Sequence, residues 1–297
     1  LYLGDQMKIF DGLFTDTQFY KKLFKLALPI TLQAFLVALV AVCDAFMLGR
    51  LDQNAMAAVS LATQVQFLQN MVIFAITSAL SILGAQYWGK GDTETIGKIF
   101  RIGLRTIGVM SFIVALLCIF CPEALMHIFA KDGPLIAIGA QYLKIAGFSY
   151  LITGISQCYL TILKVTDRAT LSACIGGGAV ILNIILNSIL IYGLFGLPAL
   201  GVKGAALATL IARIAELLAA IASSFNRNAV KANWYRILER TPTLSADFRK
   251  CALPLLGGVF FWGVGFSSYT AVLGHLGEDA AAANAAAAVL RDLLCCL

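Results

Sequence analysis

Residues 25–60 read KLALPITLQAFLVALVAVCDAFMLGRLDQNAMAAVS, and a related stretch returns without a gap 225 positions later, at residues 250–285, as KCALPLLGGVFFWGVGFSSYTAVLGHLGEDAAAANA. The two stretches are identical at 11 of 36 positions. Alanine and leucine matches are common in so apolar a chain, so the other identities carry the weight. Four of these keep one register: Lys25/Lys250, Pro29/Pro254, Phe35/Phe260 and Gly49/Gly274. The chain is therefore predicted to contain a duplicated unit.

The composition indicates that most of the chain is solvated by lipid. Hydrophobic residues make up 60% of the chain and charged residues 13%, with a mean hydropathy of +0.86. Soluble domains have roughly 25% charged residues. Crossing a bilayer takes about 20 apolar residues. Five uncharged runs come close to that length or exceed it: 26–43, 53–89, 145–163, 169–202 and 251–274.

These runs are predicted to be helices, because they lack the alternation of polar and apolar residues that a membrane barrel strand shows. The predicted helices are 26–48, 57–83, 100–121, 138–163, 170–193, 204–225 and 252–274, with an eighth starting near 280. The predicted fold class is an all-α polytopic membrane protein, of which this chain covers about seven and a half helices.

The placement of positive charge predicts the topology. A topology with the N-terminus in the cytoplasm places 16 of the 22 basic residues on the cytoplasmic side, and only Arg50, Lys131 and Lys203 in the opposite loops. Cytoplasmic loops of membrane proteins are enriched in Lys and Arg. The net charge of +6 therefore reflects topology, and no nucleic-acid partner is expected. We predict a multi-pass protein of a cell membrane, in the bacterial inner or plasma membrane, with membrane lipids as its surroundings.

An even number of predicted helices, six, separates the two repeat starts, so both copies enter the membrane from the same side. Parallel six-helix repeats are typical of transporters. The predicted divisions are a cytoplasmic lead-in at 1–25, an N-terminal lobe at 26–226, a cytoplasmic linker at 227–249 and the start of a second lobe at 250–297. The last residues, AAAVLRDLLCCL, do not complete a span, so a truncated or partial second lobe is expected.

Nothing in the sequence indicates an enzyme or a bound cofactor. There are eight cysteines and two histidines, and the spacings HExxH, GxSxG and the P-loop are all missing. Cys118 and Cys121 form a CxxC without a nearby histidine. Gly176, Gly177 and Gly178 could cradle a phosphate, but without a preceding strand or a following Lys-Ser/Thr they favour close helix contact.

Asp44 is the leading candidate for a functional residue, as the only acid in the first predicted helix. An ionisable group at membrane depth is costly and usually functional. Burial raises the pKa of a carboxyl group and a bound cation lowers it, so one carboxylate can exchange a proton for a cation. The alternative is an interfacial aspartate paired with Arg50.

Two polar pairs lie in the fifth and sixth predicted helices. Asn183 and Asn187 are four residues apart, which places both amides on one helix face. They could bind a ligand or hydrogen-bond to a neighbouring helix. Arg213 and Glu216 are three residues apart, and mutual neutralisation is favoured over ligand binding.

Five motifs resemble those of the multidrug and toxic compound extrusion (MATE) family, in order, over about residues 19–279. They are LALPI at 26–30, CDAFMLGRL at 43–51, LATQVQFLQN at 61–70, AQYWGKGD at 85–92 and NIILNSILIYG at 183–193. The resemblance implies twelve helices in two parallel six-helix lobes. It also implies a secondary antiporter that exports organic, often cationic, compounds in exchange for Na⁺ or H⁺ by alternating access.

The resemblance also implies roles for particular residues. Asp44 matches a first-helix aspartate that couples transport to a cation or proton, and Asn183 matches a fifth-helix asparagine. Asn187 stands where several members have a second acid, and Thr209 matches a sixth-helix threonine. Pro29 matches a proline implicated in bending the first helix. No cofactor beyond the coupling ion, and no oligomer, is implied.

One position departs from the family pattern: Trp262 stands where some members have a seventh-helix glutamate. Ion coupling is therefore expected in the first lobe. With Asn187 in place of an acid, coupling to H⁺ and coupling to Na⁺ both stay open. Two other readings are a lipid-linked oligosaccharide flippase, which would need basic residues in its cavity, and a non-functional fragment. Arg213 is the only basic candidate for such a flippase cavity that lies well inside the first lobe.

Overall fold

The computed structural model describes residues 28, 31–32, 35, 43, 46–50, 52–196, 198–225, 230, 239, 241–277, 279–280, 282–284 and 287. Its helices are α1 Gln53–Gly89, α2 Thr93–Phe120, α3 Pro122–Phe129, α4 Gly133–Val165, α5 Ala169–Tyr192, α6 Val202–Ser224 and α7 Pro242–His275. A 3₁₀ turn, Leu194–Gly196, follows α5. All of these helices except α3 are long and apolar enough to cross a membrane. The predicted all-α polytopic class is confirmed.

Two helical segments differ most from the sequence prediction. Helix α7 begins at Pro242 and not near 252, inside the predicted linker. Proline suits the first turn of a helix, and the added turns are amphipathic, since Phe248 is buried while Arg249 is exposed. Because these turns contain charged residues, a pattern of uncharged runs does not predict them. The short helix α3 was not predicted; Pro122 at its first turn starts it directly after α2.

Helix α4 is the central helix of the bundle. It packs against α1, α2 and α6, and α5 in turn packs against α6. Small residues let membrane helices approach closely. A Cβ atom on Gly147 would lie 2.9 Å from the Cβ of Cys118 on α2, and one on Gly154 would lie 2.8 Å from Ile107. The α2–α4 interface is therefore built on glycine.

The AQYWGKGD motif closes the loop between α1 and α2. Gly91 has a φ of +74°, which favours glycine, and Asp92 caps α2 by accepting a hydrogen bond from the Thr95 N–H at 3.0 Å. Hydrogen bonding from Thr95 lowers the pKa of Asp92. The Trp88 indole donates to Asp167 in the α4–α5 loop at 2.8 Å. This motif therefore has a structural role in the loop.

Candidate functional site

The two asparagines of α5 form one end of a chain of hydrogen bonds. Asn187 Nδ2 donates to Asn183 Oδ1 at 3.2 Å, and Asn183 Nδ2 donates to Thr209 Oγ1 on α6 at 3.3 Å. Asn187 is fully buried and Asn183 is 6% exposed. The predicted placement of both amides on one helix face is confirmed, and Thr209 joins them.

The hydrogen bonds of Thr209 show which atoms donate and which accept in this series. Its hydroxyl donates to the Ala205 carbonyl of its own helix at 3.0 Å, so its oxygen accepts the Asn183 N–H. The group thus collects amide and hydroxyl oxygens in one place between α5 and α6, where both asparagines are buried and Thr209 is partly buried. Neutral oxygens of this kind are ligands that hard cations prefer.

A close backbone contact fixes the spacing of α5 and α6 near this group. A Cβ atom on Gly204 would lie 2.5 Å from the Leu190 carbonyl oxygen and 3.1 Å from the Ile191 nitrogen. The connection also hydrogen-bonds back to α5, since the Leu200 N–H donates to the Leu190 carbonyl at 3.0 Å. Gly204 lies five residues before Thr209 on α6, so this close approach is between the same two helices that carry Thr209 and Asn183.

Gly204→Ala is expected to destabilise the protein by about 1–3 kcal/mol, because the added methyl group meets backbone that cannot rotate away. Gly178→Ala on α5 is the matched control, since nothing lies within 4 Å of its Cβ position. There, the better helix propensity of alanine should leave stability equal or raised. Thermal unfolding of the purified proteins in detergent compares them. Equal melting temperatures for the two variants would contradict this account of the contact.

Asp44 and Pro29, the first-helix candidates, lie outside the described residues. Residues 46–50, which begin two positions after Asp44, are described. The Tyr192 hydroxyl donates to the Met47 carbonyl at 3.0 Å. Leu48 is buried in the same hydrophobic cluster as Ile191. The end of the first predicted helix therefore approaches the helix that carries both asparagines, and the role of Asp44 stays a prediction.

The predicted pairing of Arg213 with Glu216 is confirmed. Arg213 Nη1 lies 2.5 Å from Glu216 Oε2, and the Glu216 side chain is 1% exposed. Ser156 on α4 donates a second hydrogen bond to Glu216 Oε1 at 2.5 Å. The pair faces the interior of the lobe, because the exposed apolar residues Ile211 and Leu218 occupy the opposite face of α6. Its charges neutralise each other there.

Gln69 on α1 is a buried amide that the sequence reasoning did not single out. Its Nε2 donates to Ser111 Oγ on α2 at 3.0 Å and to the Tyr150 carbonyl on α4 at 2.8 Å. The available signal was a polar residue within the uncharged run 53–89. These hydrogen bonds join α1, α2 and α4. They lie apart from the α5–α6 group, which consists of Asn183, Asn187 and Thr209.

Trp262, at the position where some family members have a glutamate, belongs to an aromatic cluster. It stacks on Phe266 with ring centroids 5.6 Å apart, and both contact Phe67 of α1, at 6.1 and 5.6 Å. Offset aromatic contacts of this kind stabilise helix interfaces. Trp262 therefore contributes to packing of α7 on α1.

Among the described residues, no three His, Cys, Asp or Glu side chains come together as a metal-binding group. Cys118 of the CxxC is buried and Cys121 is exposed. Gly176 and Gly177 are buried in α5, as close helix contact predicts, whereas Gly178 is exposed.

Comparison with known proteins decides the family. The family model MatE matches residues 29–189, which include all of α1–α4 and both asparagines of α5. The chain belongs to the MatE family. This is a family of multidrug efflux transporters with many transmembrane helices, so the predicted family resemblance is confirmed.

Curated relatives agree with this assignment. The uncharacterised transporter YisQ of Bacillus subtilis is 25% identical over 235 residues, which are 79% of this chain and 52% of YisQ. A probable multidrug resistance protein NorM of Bradyrhizobium diazoefficiens is 30% identical over 206 residues, 67% of this chain and 42% of NorM. The chain thus spans about half the length of the curated relatives it matches.

Solved structures share the fold. The MATE multidrug transporter DinF-BH matches with a TM-score of 0.84 and 17% identity, over 93% of this chain and 61% of that one. An outward-facing MATE transporter matches with a TM-score of 0.71 and 17% identity, over 92% of this chain and 66% of the other. At such identities the likeness concerns the fold.

Proposed function

We propose that the protein is a secondary antiporter that exports organic, often cationic, compounds in exchange for Na⁺ or H⁺ by alternating access. The observation that carries this proposal is the series of hydrogen bonds from the buried Asn187 through Asn183 to the partly buried Thr209. Membership in the MatE family supports it. The protein acts as a transporter and not as an enzyme, in a cell membrane with a cytoplasmic N-terminus.

The proposed coupling chemistry uses one carboxylate and several neutral oxygens. Asp44 supplies the charge that binds H⁺ or Na⁺, and Asn183, Asn187 and Thr209 supply oxygens for a desolvated cation. A carboxyl group at membrane depth can release its proton in exchange for a cation. Pro29 allows the first helix to bend as the charge at Asp44 changes, since proline removes a helix hydrogen bond.

The charge distribution inside the lobe favours this function over an oligosaccharide flippase. A diphosphate headgroup needs unpaired basic residues in the cavity. Arg213 is the basic candidate on the helix that carries Thr209, and the buried carboxylate of Glu216 already neutralises it. The names of the relatives, multidrug resistance proteins, support organic solutes as substrates.

Transport into and out of membrane vesicles tests the proposal. Ethidium extrusion is followed while a Na⁺ gradient or an H⁺ gradient is imposed separately, so the two arms identify the coupling ion. Because the chain spans about half of its relatives, the assay includes this chain and a form extended to the relatives' length. If neither gradient drives extrusion in the extended form, the antiporter proposal is wrong.

Asn187→Leu is expected to lower coupled extrusion about tenfold with little loss of stability. The substitution removes one proposed cation ligand and the bond to Asn183 within α5, and even hydrogen bonds between membrane helices are worth only about 0.6 kcal/mol on average. The affinity for the driving ion, read from initial rates in the extended form, should fall.

Gln69→Leu is the matched control for this prediction, because it also removes a buried, hydrogen-bonded amide but lies outside the α5–α6 group. It should change stability by a similar amount and leave the dependence on the driving ion unchanged. Equal losses of ion affinity in the two variants would mean that Asn187 acts only through packing.

A further inference from the structure

A cavity of about 370 Å³ lies between α1, α2 and the first turns of α7. Apolar side chains form much of its wall, including Ile76, Ile102, Phe248 and Leu253, and two arginines, Arg105 and Arg249, also line it. None of its lining residues belongs to α5 or α6, and the proposed transport chemistry does not use it.

Other charges near this cavity are already paired. Lys98 lies 2.8 Å from Glu94, and Arg101 lies 3.3 Å from Glu239. Lys250 lies 3.9 Å from Asp247. In the part of the chain that the structure describes, neither Arg105 nor Arg249 takes part in an ion pair. The cavity wall therefore carries two positive charges whose neighbouring acids are engaged elsewhere.

The two arginines lie where the helices change from charged to uncharged sequence. After Arg105, α2 continues without charge to its end at Phe120, and Lys250, the neighbour of Arg249, is followed by the uncharged run 251–274. Such a change marks the boundary between lipid headgroups and acyl chains. By the predicted topology this is the cytoplasmic side.

We propose that this cavity binds an anionic phospholipid, with its phosphate between Arg105 and Arg249 and one acyl chain along the apolar wall. Guanidinium groups bind phosphate oxygens with paired hydrogen bonds, and basic pockets between membrane helices on the cytoplasmic side bind anionic headgroups. A cationic solute would meet two like charges here. A small soluble anion would leave the apolar wall unfilled.

Native mass spectrometry of the full chain in detergent tests the site, with phosphatidylglycerol and phosphatidylcholine of identical acyl chains supplied in equal amounts. The wild type is expected to retain phosphatidylglycerol about tenfold over phosphatidylcholine. Arg105→Gln/Arg249→Gln should abolish this preference. Arg105→Lys/Arg249→Lys keeps both charges and should keep most of it, which separates loss of charge from loss of fold.

Lys90→Gln/Arg168→Gln is the control for surface charge, because it removes two positive charges on the same predicted side at residues that do not line the cavity. It should leave the preference unchanged. The proposal is overturned if the wild type binds both lipids equally, or if the control and the arginine double variant lose the preference alike. If inorganic phosphate alone displaces the bound lipid, the site recognises only the anionic headgroup, and the proposed contact with an acyl chain is wrong.

Discussion

Asp44→Asn is expected to reduce ethidium extrusion driven by a Na⁺ or H⁺ gradient to the level of vesicles without the protein, in the form extended to the relatives' length. Asp44 is the only acid in the predicted helix 26–48. An amide of the same size can keep hydrogen bonds with its neighbours but cannot bind or release a proton, and it binds a cation without neutralising it. Substrate could still bind, but transport would no longer be coupled to the ion.

Asp52→Asn is the matched control, because Asp52 is an exposed acid at the start of α1 whose side chain makes no capping hydrogen bond. It should transport like the wild type. Asp44→Glu keeps the charge and should retain part of the extrusion, with an altered dependence on pH. Gradient-driven extrusion that survives Asp44→Asn would overturn the assignment of coupling to this residue and would favour the alternative of an interfacial aspartate paired with Arg50.

We propose the coupling site in the first copy of the internal repeat, and two aromatic positions of the second copy agree with this. Asp44 corresponds in the repeat to Tyr269, an exposed aromatic residue of α7. Trp262 packs with Phe266 and Phe67. The repeated glycine keeps a packing role in the second copy, since Gly274 approaches the Phe129 carbonyl oxygen too closely for any side chain. The second copy thus retains helix packing but has aromatic residues where coupling would need an acid.

Features that depend on local sequence could be predicted. Membrane helices follow from uncharged runs, and the shared face of Asn183 and Asn187 follows from their spacing of four. The pairing of Arg213 with Glu216 follows from a spacing of three. These patterns need no knowledge of which helices are neighbours.

Contacts between distant helices could not be predicted in the same way. Ser156 is 60 residues from Glu216 in the chain, and Gln69 is 42 residues from Ser111 and 81 from Tyr150. The bonds of Ser156 and of the Tyr150 carbonyl depend on the central position of α4, and the bond to Ser111 depends on the packing of α1 on α2. Only the family resemblance indicated Thr209 as a site residue. A single threonine in an apolar helix usually hydrogen-bonds to its own backbone, as Thr209 also does.

Glu216→Leu is expected to destabilise the protein by about 3–5 kcal/mol, because it leaves the charge of Arg213 at membrane depth without a partner. It also leaves the Ser156 hydroxyl without its acceptor on α6. Unfolding of the purified protein in detergent, by heat or by denaturant, measures the change. The exposed pair of Glu94 and Lys98 provides the control, since Glu94→Leu removes an equivalent acid at 82% exposure and should have a far smaller effect.

The double variant Arg213→Leu/Glu216→Leu separates the cost of an unpaired charge from the worth of the pair. Two apolar residues in place of a buried ion pair are often neutral or stabilising, since the desolvation of both charges is no longer required. The double variant should therefore recover most of the stability that Glu216→Leu loses. If both variants are equally unstable, the Ser156–Glu216 bond between α4 and α6 holds the lobe together, and neutralisation of Arg213 is secondary. Arg213 and Thr209 lie one helical turn apart on α6, so recovery of stability together with coupled extrusion in the extended form would show that the ion pair is a structural element separate from the coupling site.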